Sequence, residues 1–262
     1  MDPTTRFAVA VSGPKDSVAL DEAAFLIAAH AHPGLDVAAQ RARLDDLAAS
    51  VRTPTLDGVR ALIFDDLGFR GNRLDYYDAR NSYLDDVLDR RLGIPISLAV
   101  VTLEVGRRVG VPLDGVSMPG HFLLRDKVDP DVFVDAFAGG AVLDRWGCET
   151  RFRAVHGEEV PFDARFLAPV GRLAIVARML ANLEAIAART VDRAMLAWVL
   201  RLRLSLPGAA PSEHRRLASV LSSMCDFVGA AGVLEGLASQ LPDPHDAEEA
   251  TARARLLRSR LN

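Results

Sequence analysis

Through the first quarter of the chain, apolar positions recur at the three- and four-residue spacing of helices, with no alternating stretch of the kind a half-buried strand shows. Residues 20–31 (LDEAAFLIAAHA) predict a helix with Asp21 and Glu22 in its first turn, where negative charge is favoured, and with Pro33-Gly34 as its stop. Asp36 is placed to cap a second helix over 37–51, in which Leu44 and Leu47 fall on one side. Thr55 or Asp57 begins a third helix that ends near Gly68. The polar loop FRGNRLDYYD follows, and NSYLDDVLDRR over 81–91 predicts a fourth helix with its tyrosine and leucines turned inward.

After Gly93 the pattern changes. Pro95 suits the first position of a helix, residues 96–109 are apolar on nearly every face until Arg107-Arg108, and Gly110 provides a left-handed stop. A helix with so little polar surface has to be buried. Three short runs with strand character then come at 115–118, 121–125 and 132–137, divided by glycine, proline and aspartate turns. Residues 151–169 read as irregular, and from Gly171 onward the chain reads as helical to its end. The resulting class is α+β, with a first domain over 1–168 and an all-helical one over 169–262. In the second, the pair Leu206-Pro207 recurs as Leu241-Pro242, each closing a helical block. That spacing matches a tetratricopeptide-like period, with units at 172–206 and 213–241 and a capping helix at 247–261; a plain helical bundle is the alternative.

Composition narrows the function. The 262 residues are 50% hydrophobic and 25% charged, sufficient for a sizeable core. The 31 basic residues are interleaved with 35 acidic ones for a net charge of −4, which excludes the basic stripe a nucleic-acid binder carries. The best apolar run, 94–105, is interrupted by Thr102 and Glu104 and falls short of the ~20 residues of a membrane span. The amino-terminal stretch lacks the flanks and apolar length of a secretion signal. The two cysteines, Cys148 and Cys225, have neither the spacing of a zinc site nor that of a disulfide framework. A cytoplasmic protein is expected, with no metal and no cofactor. The aspartate pairs 45–46, 65–66 and 85–86 read as solvated helix faces, none having a neighbouring histidine in sequence.

The residues that could carry chemistry lie between Leu92 and Phe137. If 126–131 is a hairpin turn, cross-strand partners have numbers summing to about 257, and His121 falls opposite Asp135 or Ala136. Opposed side chains on one face have Cβ atoms ~4.5–5.5 Å apart, close enough for a carboxylate to orient an imidazole. Ser97, in the first turn of the apolar helix, is the third member of a candidate triad, and helix-terminal amides near it are candidate oxyanion donors. A serine there is equally a helix cap, and a serine hydroxyl needs a base where a thiol would not. Glu104, two turns along from Ser97, is either an acid of the site or one half of a buried ion pair with Arg90 or Arg91. Cys148 follows both His121 and Asp135, the wrong chain order for a nucleophile of this layout, and Cys225 reads as core.

The run from LIFDDLGFRGNRLDYYDARNSYLDDVLDRRLGIPISLAV to GVSMPGHFLLR, followed by VFVDAF, resembles the bacterial SirB family, and its segments RRLGIPISL and PGHF are the most distinctive. The resemblance covers about residues 20–260. It implies a transglutaminase-like, papain-like core with a helical amino-terminal part and a tetratricopeptide-like tail. It sets Ser97 near the position of the cysteine in active transglutaminases, and His121 and Asp135 at those of their histidine and aspartate. Pro95, Glu104, Gly120 and Phe122 are the accompanying candidates for binding. Two functions follow as expectations: a protein- or peptide-binding, regulatory module with a degenerate triad, or a serine-dependent amide or ester hydrolase or acyltransferase.

Overall fold

The computed structural model describes residues 1–13 and 18–261. The order of elements is α1 (Pro3–Val11), α2 (Leu20–Ala31), α3 (Val37–Ala49), α4 (Leu56–Arg60), β1 (Arg70–Gly71), α5 (Leu84–Arg90), β2 (Leu92–Gly93), α6 (Pro95–Arg108), β3 (Leu113–Val116), β4 (Leu123–Asp126), β5 (Phe133–Asp135), β6 (Ala141–Leu143), α7 (Arg145–His156) and β7 (Pro169–Val170). Five helices then complete the chain: α8 (Arg172–Thr190), α9 (Arg193–Leu204), α10 (Pro211–Ser223), α11 (Phe227–Ala238) and α12 (Pro244–Arg258). It divides into compact units at Met1–Asn182 and Leu183–Asn262, the division falling within α8.

Local chemistry sets the helix starts. Asp36 accepts from the amides of Ala38 and Ala39 to cap α3, and Thr55 Oγ1 accepts from Gly58 N to cap α4. A wider-wound turn at Ala61–Asp66 extends α4. Pro95 opens α6 and Gly110, at φ +77°, follows its end. Four consecutive residues of α6, Leu98 to Val101, are fully buried. The helix contacts α2, α3, α4 and α5 as well as β3 and β4, which explains why nearly all its faces are apolar before Glu104.

The main sheet has order β6-β5-β4-β3-β7 and is antiparallel throughout. Its register pairs Leu124 with Val134 and Arg125 with Phe133, one residue beyond the expected hairpin alignment. His121 consequently sits in the loop before β4. Val116, Met118, Leu123 and Phe133 of the sheet region pack with Cys148 and Phe152 of α7 and with Leu167. Elements beyond those expected are α1, α7 in a stretch read as partly irregular, β6, β7, and the short parallel pair β1–β2 that joins the polar loop to the entrance of α6. In the second unit, Leu200, Leu217, Leu221, Leu234 and Leu237 centre a separate core. Cys225 is exposed in a left-handed turn between α10 and α11, not in that core, because the chain reverses there.

A buried charge network ties the helices of the first unit together. Arg108 reaches Asp21 at 2.7 Å, Glu104 at 2.7 Å and Asp45 at 2.6 Å; Arg41 adds a 3.0 Å contact to Asp21. Glu104 pairs with Arg107 and Arg108 on its own helix, rather than with Arg90 or Arg91, since residues three and four apart share a helix face. Burial works to raise the Asp21 pKa, but hydrogen bonds from Arg108 and Arg41 outweigh it and leave the carboxyl below its ordinary value.

Candidate functional site

His121 is placed by a turn. Its amide donates to Met118 O at 3.0 Å, and Gly120 before it has φ +72°. A Cβ at Gly120 would lie 2.7 Å from Val155 Cγ1 and 2.9 Å from His156 Nε2, so both conformation and the end of α7 demand glycine here. Asp135 ends β5 and caps the following turn, Oδ1 accepting from Ala138 N at 3.1 Å.

The two side chains meet. His121 Nε2 lies 2.9 Å from Asp135 Oδ1, off the line of a well-directed hydrogen bond, and Arg151 Nε lies 3.0 Å from Asp135 Oδ2. Asp135 is fully buried, and burial works to raise its pKa. The His121 contact, with Arg151 and the Ala138 amide, outweighs that effect and holds the carboxyl below its usual range. Nε2 is the ring nitrogen that faces Asp135, and Nδ1 makes no hydrogen bond among the described residues. The ring of Phe137 meets the imidazole edge-on at 6.2 Å between centroids, and Tyr76 meets Phe137 at 5.9 Å.

Ser97 is directed elsewhere. Its hydroxyl donates to Asn81 O at 2.5 Å and accepts from Ile94 N at 3.1 Å, so it closes the entrance of its own helix. It is fully buried, and a Cβ on Gly93 would stand 2.7 Å from its Oγ. None of its hydrogen bonds goes to His121. Asn81 is a hub that the sequence reading did not single out. Its side chain donates to Asp75 O at 2.7 Å and accepts from Asn72 Nδ2 at 3.0 Å, fastening the loop that carries Tyr76. Ser97 thus ties the entrance of α6 to Asn81, which in turn fastens that loop.

The remaining candidates divide in the same way. Pro95 and Phe122 are buried, with Phe122 1% exposed, and they shape the core. Gly120 is exposed beside His121. Glu104 belongs to the charge network and to the lining of a cavity of about 380 Å³ that also includes Arg107, Asp114 and Lys127, but none of Ser97, His121 and Asp135. Cys148 is buried against the sheet, and burial together with Asp144 and Asp135 pushes its thiol up to about 12. Such a thiol is no nucleophile at neutral pH. The pair Asp85-Asp86 departs from the solvated-face reading: Asp85 is buried, and His32 from α2 lies 2.6 Å from it and 3.4 Å from Asp86. The fold brings that histidine in from far along the chain. The same group is the one among the described residues whose ligand atoms lie close enough to share a metal ion.

Comparison with known proteins agrees with this architecture. No solved structure matches the chain. A UPF0162 protein of Xylella fastidiosa (strain 9a5c) is 50% identical over 136 residues, covering 50% of this chain and 48% of that protein. A UPF0162 protein of Pseudomonas aeruginosa is 32% identical over 174 residues, 63% of this chain and 64% of the relative. Mouse F-box only protein 21 is 39% identical over 127 residues, 45% of this chain and 20% of its own length. The matched region thus spans about half the length of the Xylella relative and less of the mouse one. The model of the transglutaminase-like superfamily matches residues 29–181, the stretch that holds α3 to α7, the sheet and the His121–Asp135 pair, and the chain belongs to that superfamily.

Proposed function

We propose that the chain is a binding module of SirB type, in which the cleft beside His121 and Asp135 holds a segment of a protein or peptide and the triad is degenerate. The observation that carries this reading is the placement of the Ser97 hydroxyl, committed to Asn81 O and Ile94 N in a fully buried position. A nucleophile needs a base within reach and a substrate beside it, and these contacts supply neither. The His121–Asp135 contact and the uncommitted Nδ1 suit a histidine that exchanges a hydrogen bond with a ligand. Tyr76 is 39% exposed and packs on Phe137, which supports an aromatic surface near His121 for an apolar side chain. The paired helices of the tail support a tetratricopeptide-like second binding surface. A cytoplasmic location is in keeping with two free thiols, and no helix among the described residues is long and apolar enough to cross a membrane.

Selection of peptides from a displayed random library on the intact chain tests the reading. Enriched peptides are expected to bind the Ser97→Ala variant as well as the parent and to lose affinity for a folded His121→Ala variant. Turnover of a bound peptide or ester that requires Ser97 would instead establish the serine-dependent hydrolase, the reading that the surviving His121–Asp135 pair favours.

A further inference from the structure

Arg178 on α8 lies beside the His121 backbone, and no carboxylate among the described residues answers its charge. Its Nη1 donates to Ser117 Oγ at 2.8 Å and its Nη2 approaches His121 O at 3.5 Å. Both acceptors are neutral, and no carboxylate among the described residues comes within ion-pair distance. The contrast with Arg108 is instructive, because that guanidinium, also withdrawn from water, touches three acids. Burial pushes the Arg178 pKa down, and burial raises that of Tyr76, with each side chain acting electrostatically on the other. A partly desolvated guanidinium lacking a counter-charge is a costly feature unless an anion completes it.

The neighbours favour the same ligand. Tyr76, Phe137 and the His121 ring form a continuous line of edge-to-face contacts, and Arg73 sits 5.8 Å over the Phe137 ring. Arg151 lies on the far side of the His121–Asp135 pair. Arg151 answers Asp135 directly, whereas neither Arg178 nor Arg73 has a carboxylate within ion-pair distance among the described residues.

We propose that Arg178, with Ser117 beside it, receives an oxyanion group, carboxylate or phosphate, of the ligand held next to His121. The inference rests on the reading of this cleft as a binding site, and it narrows the ligand to an anionic one. Arg178 retains N–H groups beyond the two already engaged, enough to grip two oxygens of one anion in its planar fork.

The test is a titration of the intact chain with N-acetylglycine, with N-acetylglycinamide and with inorganic phosphate, following the ¹⁵N resonances of Arg178 Nε and the His121 ring. N-acetylglycine or phosphate is expected to shift both in a saturable manner while the amide does not, and the ratio of the two affinities distinguishes a carboxylate from a phosphate ligand. Arg178→Gln is expected to weaken anion binding by about tenfold or more, and Arg178→Lys by less, since a lone ammonium keeps the charge but loses the fork. Absence of a saturable shift at Arg178 with either anion overturns the proposal. So does unchanged affinity in a folded Arg178→Gln variant. Should Arg178→Gln not fold, the comparison of acid and amide on the parent chain decides. Peptide binding that survives a negative anion result leaves the cleft reading standing without this inference, and anion binding at Arg178 without any peptide binding does the reverse.

Discussion

Replacing Ser97 by alanine separates a structural serine from a catalytic one. The change removes the acceptor for Ile94 N and the donor to Asn81 O, both in a fully buried setting. Losing a capping contact at a helix entrance costs about 1 kcal/mol. Leaving a buried carbonyl without its donor costs a further ~1–3 kcal/mol. Part of this is recovered, because Ile94 N already approaches Asn81 O at 3.4 Å and can shorten that contact. The expected loss is about 2–3 kcal/mol, a large share of the ~5–15 kcal/mol by which a domain is typically stable. Urea unfolding followed by far-UV circular dichroism measures it, with the m-value reporting whether the two units melt together. Loosening of the loop fastened by Asn81 should accompany the loss, seen as faster amide exchange over residues 72–81. A stability change below about 0.5 kcal/mol, the size of an ordinary surface substitution, would mean that the Ser97 hydroxyl does not hold the helix entrance.

Other expectations follow from the same contacts. Ser97→Cys should remain without acyl-transfer activity and resist alkylation while folded, because the position is buried and crowded by Gly93; rapid modification by iodoacetamide would contradict this. In the parent chain at pH 8, a thiol reagent should titrate Cys225 and spare Cys148, whose pKa is pushed up to about 12; two reactive thiols in the folded protein would be the contrary result. Asp21 and Asp135 have folded-state pKa values below those of the unfolded chain, so their stabilisation is complete above the unfolded value of ~3.9 and is lost as pH falls through the folded values. Asp21→Asn should therefore flatten the acid limb of the stability profile, measured as urea midpoint against pH, and an unchanged limb would count against the network. Arg108→Met, which strips one guanidinium from Asp21 and Glu104 while Arg41 and Arg107 remain, should cost about 2–4 kcal/mol by the same denaturation measurement.

Where chemistry is local the chain was readable. Asp36, Thr55, Pro95 and Gly110 mark helix boundaries through contacts within a few residues, and the structure has them in those roles. The all-apolar helix had to be central for the same reason, since it offers water no polar face. Hairpin arithmetic put His121 near Asp135, but the register differs by one residue and His121 makes the contact from the loop before β4 rather than from across a strand. What escaped depends on distant partners. The Ser97 contact requires Asn81 O, sixteen residues earlier, to point at the helix entrance, and nothing in the sequence fixes that orientation. His32 reaches Asp85 and Asp86 across more than fifty residues, so the pair looked like a solvated face. Arg178 and Ser117 meet across a similar separation. Helix α7 was missed because Gly147 and Thr150 dilute its pattern, and its buried residues, Cys148 and Phe152, find their partners only on the sheet.

The most direct test of the account is treatment of the folded chain with serine- and cysteine-directed acylating probes, with modified residues located by peptide mass and with Ser97→Ala and His121→Ala variants alongside. No adduct is expected on Ser97, because its hydroxyl is buried and bonded to the backbone away from His121. An adduct on Ser97 that disappears in a folded His121→Ala variant would contradict it and make the chain a serine-dependent acyl-transfer enzyme.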